Sequence, residues 1–398
     1  MIRRPLGASG IAVAILAVVL FLKLDGWNAL AQGDGAIKTP WGEPDLQGIW
    51  TNEGQVPLQR PAKYANKEFF TDSEIAALDD QRANAVRLGD RGNAQKGTVQ
   101  DVAGAYNSVF TTVKRTGKRT SLVVDPPDGR LPPYTPEAQK RRTVIREFEL
   151  ALLQATDVCK NKMPECAGWK YGPPSPRRSE PGPFYGAAGF RNRADGPEDR
   201  SLSERCLAFG LPDFGSSILP FYPRIVQSPG SVSIYYDVGQ GQGWQRTIPV
   251  TNGPHLPGHI RQWWGDSRGH WEGNTLVVDV TNFSPKKDFM GSRENLHLVE
   301  RFTRVNADTI EYAATVEDLT TWTKPWTVKQ EWSKEAEGPN RHYIEPRCHE
   351  GNYGLAGQLV GARADERAFA AGRGPDPATR CIGNCGNGIT EENRDVLQ

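Results

Sequence analysis

Between Arg224 and Cys348 the chain alternates apolar and polar residues with a period of two, and this pattern constrains the fold more than any other feature. Ile310, Tyr312, Ala314 and Val316 fall on every second position, as do Trp326, Val328, Gln330 and Trp332. Successive side chains of a strand point to opposite faces, so such a segment offers one face to a core and one to water. The spacing predicts strands over 232–238, 244–250, 259–265, 275–283, 296–305, 309–317, 326–332 and 342–345, with turns at 306–308 and 334–340. About eight short antiparallel strands with hairpin spacing make a sandwich or an up-and-down barrel. A barrel is the expectation, because closure removes unpaired edges and about eight strands can enclose one small ligand.

The densest stretch is RQWWGDSRGHWEGNTLVVDVTNF, residues 261–283. It reads as a strand, a glycine-punctuated turn and a second strand. In that second strand Leu276, Val278 and Val280 face one way and Thr275, Asp279 and Thr281 the other. Arg261, Asp266, Arg268, His270 and Glu272 concentrate chemistry-bearing groups in the same stretch.

Ahead of the β region the chain is helical and loop-rich. Thr71 and Glu74 make a capping box that predicts a helix over 71–90. Thr135 followed by Pro136 opens a second helix that runs to about Ala155. Arg119 to Arg130 reads as a short apolar strand ending in a proline turn, and 160–200 as a Pro/Gly/Arg-rich wrapping arm. The expected organisation is a leader at 1–31, a helical and loop-rich wrapping region at 32–200, a barrel-like domain at 201–363 and a polar tail at 364–398. The fold class is mainly β, α+β overall: an antiparallel barrel-like sheet with a two-helix N-terminal part.

Arg3 and Arg4, the apolar run Ile11 to Leu22 and the Ala29-Leu30-Ala31 cleavage pattern read as a signal peptide, with an uncleaved anchor as the alternative. The mature chain is then periplasmic or secreted, with no stable membrane span after cleavage. Export makes the six cysteines, Cys159, Cys166, Cys206, Cys348, Cys381 and Cys385, disulfide candidates. Cys159–Cys166 and Cys381–Cys385 would close local loops, leaving Cys206–Cys348. A zinc site competes poorly, since the cysteines are scattered with no C-x2-C pair, and no metal is expected. The net charge of +1 gives no electrostatic reason for a nucleic-acid partner.

All six histidines lie at or after His255. His349 beside Glu350 is the leading acid–base candidate, because a disulfide at Cys348 would fix the imidazole next to a carboxylate. His270 and Glu272 share a face if extended, although the same residues read as a hairpin tip. His297 and Glu300 are three apart, so on a strand they point to opposite faces. Glu300 shares a face with Phe302 and Arg304, a candidate internal ion pair. Arg261 or Arg304 would hold an anionic group, and Tyr236 and Trp263 would contact an aromatic one. No nucleotide, phosphate-loop, nucleophile-elbow or zinc-protease motif is present, so no cofactor is expected.

Gly48-Ile-Trp50 resembles the entry to the first strand of lipocalin-type (calycin-like) barrels, where the tryptophan plugs the closed end. PDLQGIW (44–50), RTSLVVDPPDGR (119–130), PEDRSLSERC (197–206), the stretch 261–283, LHLVERFTR (296–304), TVED (315–318) with PWT (325–327), and CHEGNY (348–353) together resemble a family of uncharacterised exported bacterial proteins. The resemblance covers nearly all the mature chain and implies a shared fold and export. One departure stands out: that family has a short acidic, histidine-containing hairpin where this chain has DVGQGQGW, residues 237–244.

The expected function is that of a periplasmic enzyme acting on a small, partly apolar or aromatic organic molecule by cofactor-free acid–base chemistry, of lyase, hydratase or isomerase type. Its proton-transfer residues would be His349 with Glu350 or Glu300, and His270. The alternative is a non-catalytic, lipocalin-like binding protein for a small molecule. Oligomeric state is not legible in the sequence.

Overall fold

The computed structural model describes residues 37–51, 54–88, 115–166, 168–189, 191–202, 204–205, 211–212, 214, 222–237, 243–335 and 353–381. The expected signal peptide, the strand at 342–345, Cys206, Cys348, His349, Glu350 and Cys385 therefore lie outside the described residues. The strands are β1 (Gly48–Thr51), β2 (Gly54–Gln55), β3 (Arg115–Thr116), β4 (Val123–Asp125), β5 (Tyr222–Ser228), β6 (Ser231–Asp237), β7 (Gly243–Pro249), β8 (Asp266–Glu272), β9 (Thr275–Thr281), β10 (His297–Asn306), β11 (Thr309–Glu317) and β12 (Trp326–Lys334). The helices are α1 (Asp72–Leu88), α2 (Pro136–Leu153), α3 (Asp157–Lys160) and α4 (Tyr353–Ala370).

Nine strands form a nearly closed antiparallel barrel in the order β7-β6-β5-β1-β12-β11-β10-β9-β8. Two meanders, β5 to β7 and β8 to β12, supply most of it, and β1 joins them by pairing with β5 on one side and β12 on the other. At the seam β7 and β8 run side by side in the same direction, touching through one parallel bridge from Val250 to Gly269 and a Thr251 N–H donated to the Gly269 carbonyl at 2.8 Å. The short β4 adds to the start of β12 and ties the N-terminal region to the barrel.

The alternation sorts the side chains as expected. Leu276, Val278 and Val280 turn inward, with Leu298, Phe302, Ile310, Tyr312, Val328 and Trp332 from the neighbouring strands. Leu276, Val278, Leu298, Glu300, Phe302, Ile310 and Ala314 all have 0 % exposure. These side chains pack against one another as one buried core in the middle of the barrel.

One end is sealed by β1. Trp50 is fully buried, its indole N–H donates to the Leu46 carbonyl at 3.0 Å, and the Arg304 guanidinium lies 4.7 Å from its ring centre. Gln227 fastens the preceding segment by donating to the Pro44 carbonyl at 3.1 Å and accepting from the Leu46 N–H at 2.5 Å.

The helices start where capping predicts. Thr71 accepts from the Glu74 N–H and Glu74 reaches back to the Thr71 N–H at 2.7 Å. Thr135 accepts from the Ala138 N–H at 3.1 Å with Pro136 in the first turn. The arm 160–200 is held by arginines: Arg178 donates to Asn192 Oδ1 at 2.7 Å, and Asn192 donates to the Ala378 carbonyl at 2.8 Å. Cys159–Cys166 is a disulfide, and Cys381 is disulfide-bonded as well.

Three local expectations change. Residues 259–265 form no strand; β8 begins only at Asp266, after Gly265 turns the chain at φ +68°. Tyr222–Ser228 is a full strand that the alternation reading passed over, because Pro223 and Gln227 occupy its inward positions. Helix α4 runs through the expected boundary at 364 to Ala370. No helix among the described residues is long and apolar enough to cross a membrane.

Truncating the sealing residue, Trp50→Ala, should cost about 3–5 kcal/mol of unfolding free energy in urea melts. Trp41→Ala, at an exposed tryptophan, should cost about 0.5 kcal/mol or less.

Candidate functional site

The other end of the barrel carries a polar network set in aromatic surroundings. Trp244, Arg246 and Ile248 occupy the inward positions of β7, and Tyr236 that of β6 opposite Trp244. Arg246 is buried and its guanidinium contacts the Glu300 carboxylate at 2.6 Å. It also donates to Ser267 Oγ at 3.0 Å and to the Tyr236 hydroxyl at 3.4 Å. Glu300 accepts from the Tyr312 hydroxyl at 2.9 Å. Burial alone would lower the Arg246 pKa, but the Glu300 charge and then Tyr236 outweigh it, and the guanidinium ends above its ordinary value. Burial first, then the Glu300 charge, pushes the Tyr312 phenol well above its ordinary value. The network is a buried cation and anion, with the Tyr236 hydroxyl on the cation and the Tyr312 hydroxyl on the anion.

Tyr236 links this network to the surface. Its ring stacks on Trp264 at 5.2 Å between centres, while its hydroxyl accepts from Arg246. Trp244 leans on Trp264 at 6.4 Å, and its indole N–H is buried with no acceptor among the described residues. Trp244 and Trp264 are half-buried, so together they form a wall with one face in the protein.

The expected site residues distribute unevenly around this end. Glu300 and Tyr236 are brought together, but the arginine beside them is Arg246. Residues four apart on a strand sit about 13 Å apart, too far for Glu300 to reach Arg304. Arg304 instead caps Trp50 at the sealed end and donates to the Ala307 carbonyl at 2.6 Å. Trp263 packs beside Tyr185 at 6.3 Å, and it is its neighbour Trp264 that turns onto Tyr236. Arg261 is exposed and donates to the Glu294 carbonyl at 2.6 Å. His270 sits on the β8–β9 hairpin tip, 3.1 Å from Glu272. Glu272 is in turn held below the usual carboxylate range by Arg301 and then His270.

A second cluster lies on the outer face. His255 Nδ1 is 2.8 Å from Asp266 Oδ2 and its Nε2 is 2.8 Å from Asp279 Oδ1. His297 Nε2 is 2.9 Å from the other Asp279 oxygen, with Nδ1 3.4 Å from Glu317. The Asp279 bond, then Glu317, raises the His297 pKa against its burial, and His297 in turn holds Asp279 down. His297 points outward and Glu300 inward, as strand geometry requires. No group of three or more His, Cys, Asp or Glu side chains among the described residues is arranged to hold a metal ion.

Sequence reading missed Arg246, Trp264, His255 and Asp279 as site residues. A signal for the first was present: Arg246 between Trp244 and Ile248, and Glu300 between Leu298 and Phe302, are opposite charges on the apolar faces of two alternating strands. His255 and Asp279 come together only through the fold.

No protein-family model matches the chain. No curated protein matches it either. Among solved structures it is similar to a secretary abundant heat soluble (SAHS) protein from Ramazzottius varieornatus, at 14 % identity and a TM-score of 0.22, over 34 % of this chain and 82 % of that one.

Removing one partner of the ion pair should be far worse than removing both. Glu300→Gln leaves a buried guanidinium uncompensated and should cost about 3–5 kcal/mol in urea melts. The double variant Arg246→Met/Glu300→Leu should unfold closer to wild type than Glu300→Gln does. A double variant less stable than Glu300→Gln would show that the pair is not coupled.

Proposed function

We propose that this protein is an exported, periplasmic binding protein for a small, flat, partly apolar or aromatic organic molecule held at the tryptophan-lined end of the barrel. The observation that carries the reading is the continuous chain Trp264–Tyr236–Arg246–Glu300, which runs from a half-buried aromatic surface to a desolvated ion pair. Ligand sites combine aromatic area with a few fixed polar groups that set orientation. A buried ion pair is a weak way to stabilise a core, since apolar residues of similar size do as well or better. Orienting a ligand gives it a purpose that stability does not. The Trp244 N–H in the same wall is a donor suited to a ligand carbonyl or hydroxyl.

The packed middle of the barrel favours a site at its end over one in a lumen. The disulfide Cys159–Cys166 accords with an oxidising compartment. Binding is preferred to proton-transfer catalysis on geometric grounds. Glu300 is engaged by Arg246 and Tyr312, and His270 stands on an exposed tip away from it. All four ring nitrogens of His255 and His297 already face carboxylates, which leaves none to exchange a proton with a substrate.

Titration with 8-anilinonaphthalene-1-sulfonate and with a series of aromatic carboxylates and phenols, followed by tryptophan quenching, tests the reading. Saturable binding is expected, weakened about tenfold or more in Trp264→Ala. The same affinity in that variant, or no saturable binding of any probe, would remove the proposed site.

A further inference from the structure

Trp263 and Trp264 take the two central positions of a turn that the Gly265 N–H closes on the Gln262 carbonyl at 3.3 Å. Backbone bonds fix the turn in place. The Gln262 N–H donates to the Asn282 carbonyl at 2.9 Å, and the Gln262 carbonyl accepts from the Ser284 N–H at 2.8 Å. Trp264 lies on Tyr236, and Trp263 packs beside Tyr185. Consecutive Cα atoms are about 3.8 Å apart, so both aromatic contacts start from neighbouring points of one turn.

Positive charge gathers on the Tyr185 side of this turn. Lys286 Nζ is 5.0 Å from the centre of the Tyr185 ring and the Arg205 guanidinium carbon is 5.3 Å from it, so no more than about 10 Å separates the two charges. Lys287 is buried and holds its ammonium 5.6 Å from the centre of Phe283. That ring passes under the turn, since a Cβ on Gly265 would stand 3.1 Å from it. Arg205 donates to the Tyr185 hydroxyl, which leaves the hydroxyl its own hydrogen to donate. The carboxylates closest in sequence are engaged with other partners. Asp288 pairs with Arg293 at 2.7 Å and accepts from the Gly291 N–H at 3.0 Å, while Asp266 accepts from Arg268 at 2.7 Å and faces the His255 ring at 2.8 Å. Exposed Lys286 and Arg261 make no ion pair among the described residues. Like charges gathered this closely around half-buried rings attract an anion.

We propose that the molecule bound at this end is a flat aromatic acid, with its ring on the Trp264 wall and its carboxylate held by the Lys286 ammonium and the Tyr185 hydroxyl. The inference rests on the reading of this end as a binding site, and names the charge of what it takes. Trp264 and Tyr236 supply aromatic area, which by itself selects no charge. The Trp263–Tyr185 side supplies the selection. Lys286 is suited to it, because an ammonium on a flexible four-carbon stem can swing to meet the anion. Arg205 holds the Tyr185 phenol from its hydroxyl edge and aims its hydrogen. An uncharged ligand of the same shape would gain the wall but not the charge-assisted hydrogen bonds, which are roughly twice as strong as neutral ones.

Isothermal titration calorimetry of the whole protein with 1-naphthoate and with its uncharged amide, 1-naphthamide, at about pH 7.5 and low salt, tests the proposal. The acid should bind about tenfold or more tightly than the amide, and added salt should shrink the margin. Lys286→Gln should bring the acid down to the level of the amide, Tyr185→Phe should narrow the margin, and Lys286→Arg should keep it. Lys140→Gln makes the same change of charge at an exposed position of α2 and should leave the margin intact. Equal affinity for acid and amide, both weakened by Trp264→Ala, would overturn the preference for an acid and leave the aromatic site standing. A margin that survives Lys286→Gln, or that Lys140→Gln removes equally, would overturn the placing of the carboxylate at Lys286. No saturable binding of either probe would overturn the binding site itself, and this inference with it.

Discussion

Between β7 and β8 the backbone supplies one bridge, Val250 to Gly269, and side chains do the rest of the closing. Arg246 reaches from β7 to Ser267 on β8 and on to Glu300 on β10, so it spans the gap that the sheet leaves. A guanidinium suits this task because its donors are fixed in a plane and can bond several acceptors at once. The seam is consequently held by charge, in a place where a ladder of amide bonds would otherwise run. Trp264, Tyr236 and the Arg246–Glu300 pair occupy the same end of the barrel because that is where the unpaired edges of β7 and β8 have to be covered.

The two ends of the barrel use the same chemistry to different effect. At the β1 end Arg304 covers the ring of Trp50, which is fully buried, and the segment before β1 is clamped by Gln227. At the other end an indole covers a phenol, but Trp264 remains half-buried and stands on a segment without regular structure. An aromatic ring packed on a strand can leave only if the strand does. The connection carrying Trp264 is tied down nearby by the Gln262 N–H, donated to the Asn282 carbonyl at 2.9 Å, and by the Ser284 N–H, donated to the Gln262 carbonyl at 2.8 Å.

Much of the barrel was legible in the sequence. Period-two alternation placed β9, β10, β11 and β12 to within two residues at each end, because each has one buried face and tight turns beside it. Helix starts were legible in Thr71 with Glu74 and in Thr135 with Pro136, since capping is local chemistry. Residues 259–265 were misread as a strand because Trp263 and Trp264 resemble strand residues; nothing local says that Gly265 takes a positive φ. A Cβ there would stand 2.6 Å from the Thr281 carbonyl oxygen and 2.7 Å from a Val280 methyl, contacts that exist only in the folded barrel. Of the site residues, Glu300 was legible as an inward position and Tyr236 only as a candidate ligand contact. Arg246 was legible as a charge on an apolar strand face, but its pairing with Glu300 was not, because the register across a barrel interior is set by nine strands together and not by spacing within one.

Gly265 also explains why the segment 251–265 and β8 cannot merge. A glycine in the left-handed region turns the chain sharply, so residues before it cannot continue the extension of β8 and pair along the seam. The chain instead places His255 between Asp266 and Asp279, 2.8 Å from a carboxylate oxygen of each. Asp266 meets both the His255 ring and the Leu256 amide, so the imidazole and the neighbouring backbone are fixed to one buried carboxylate.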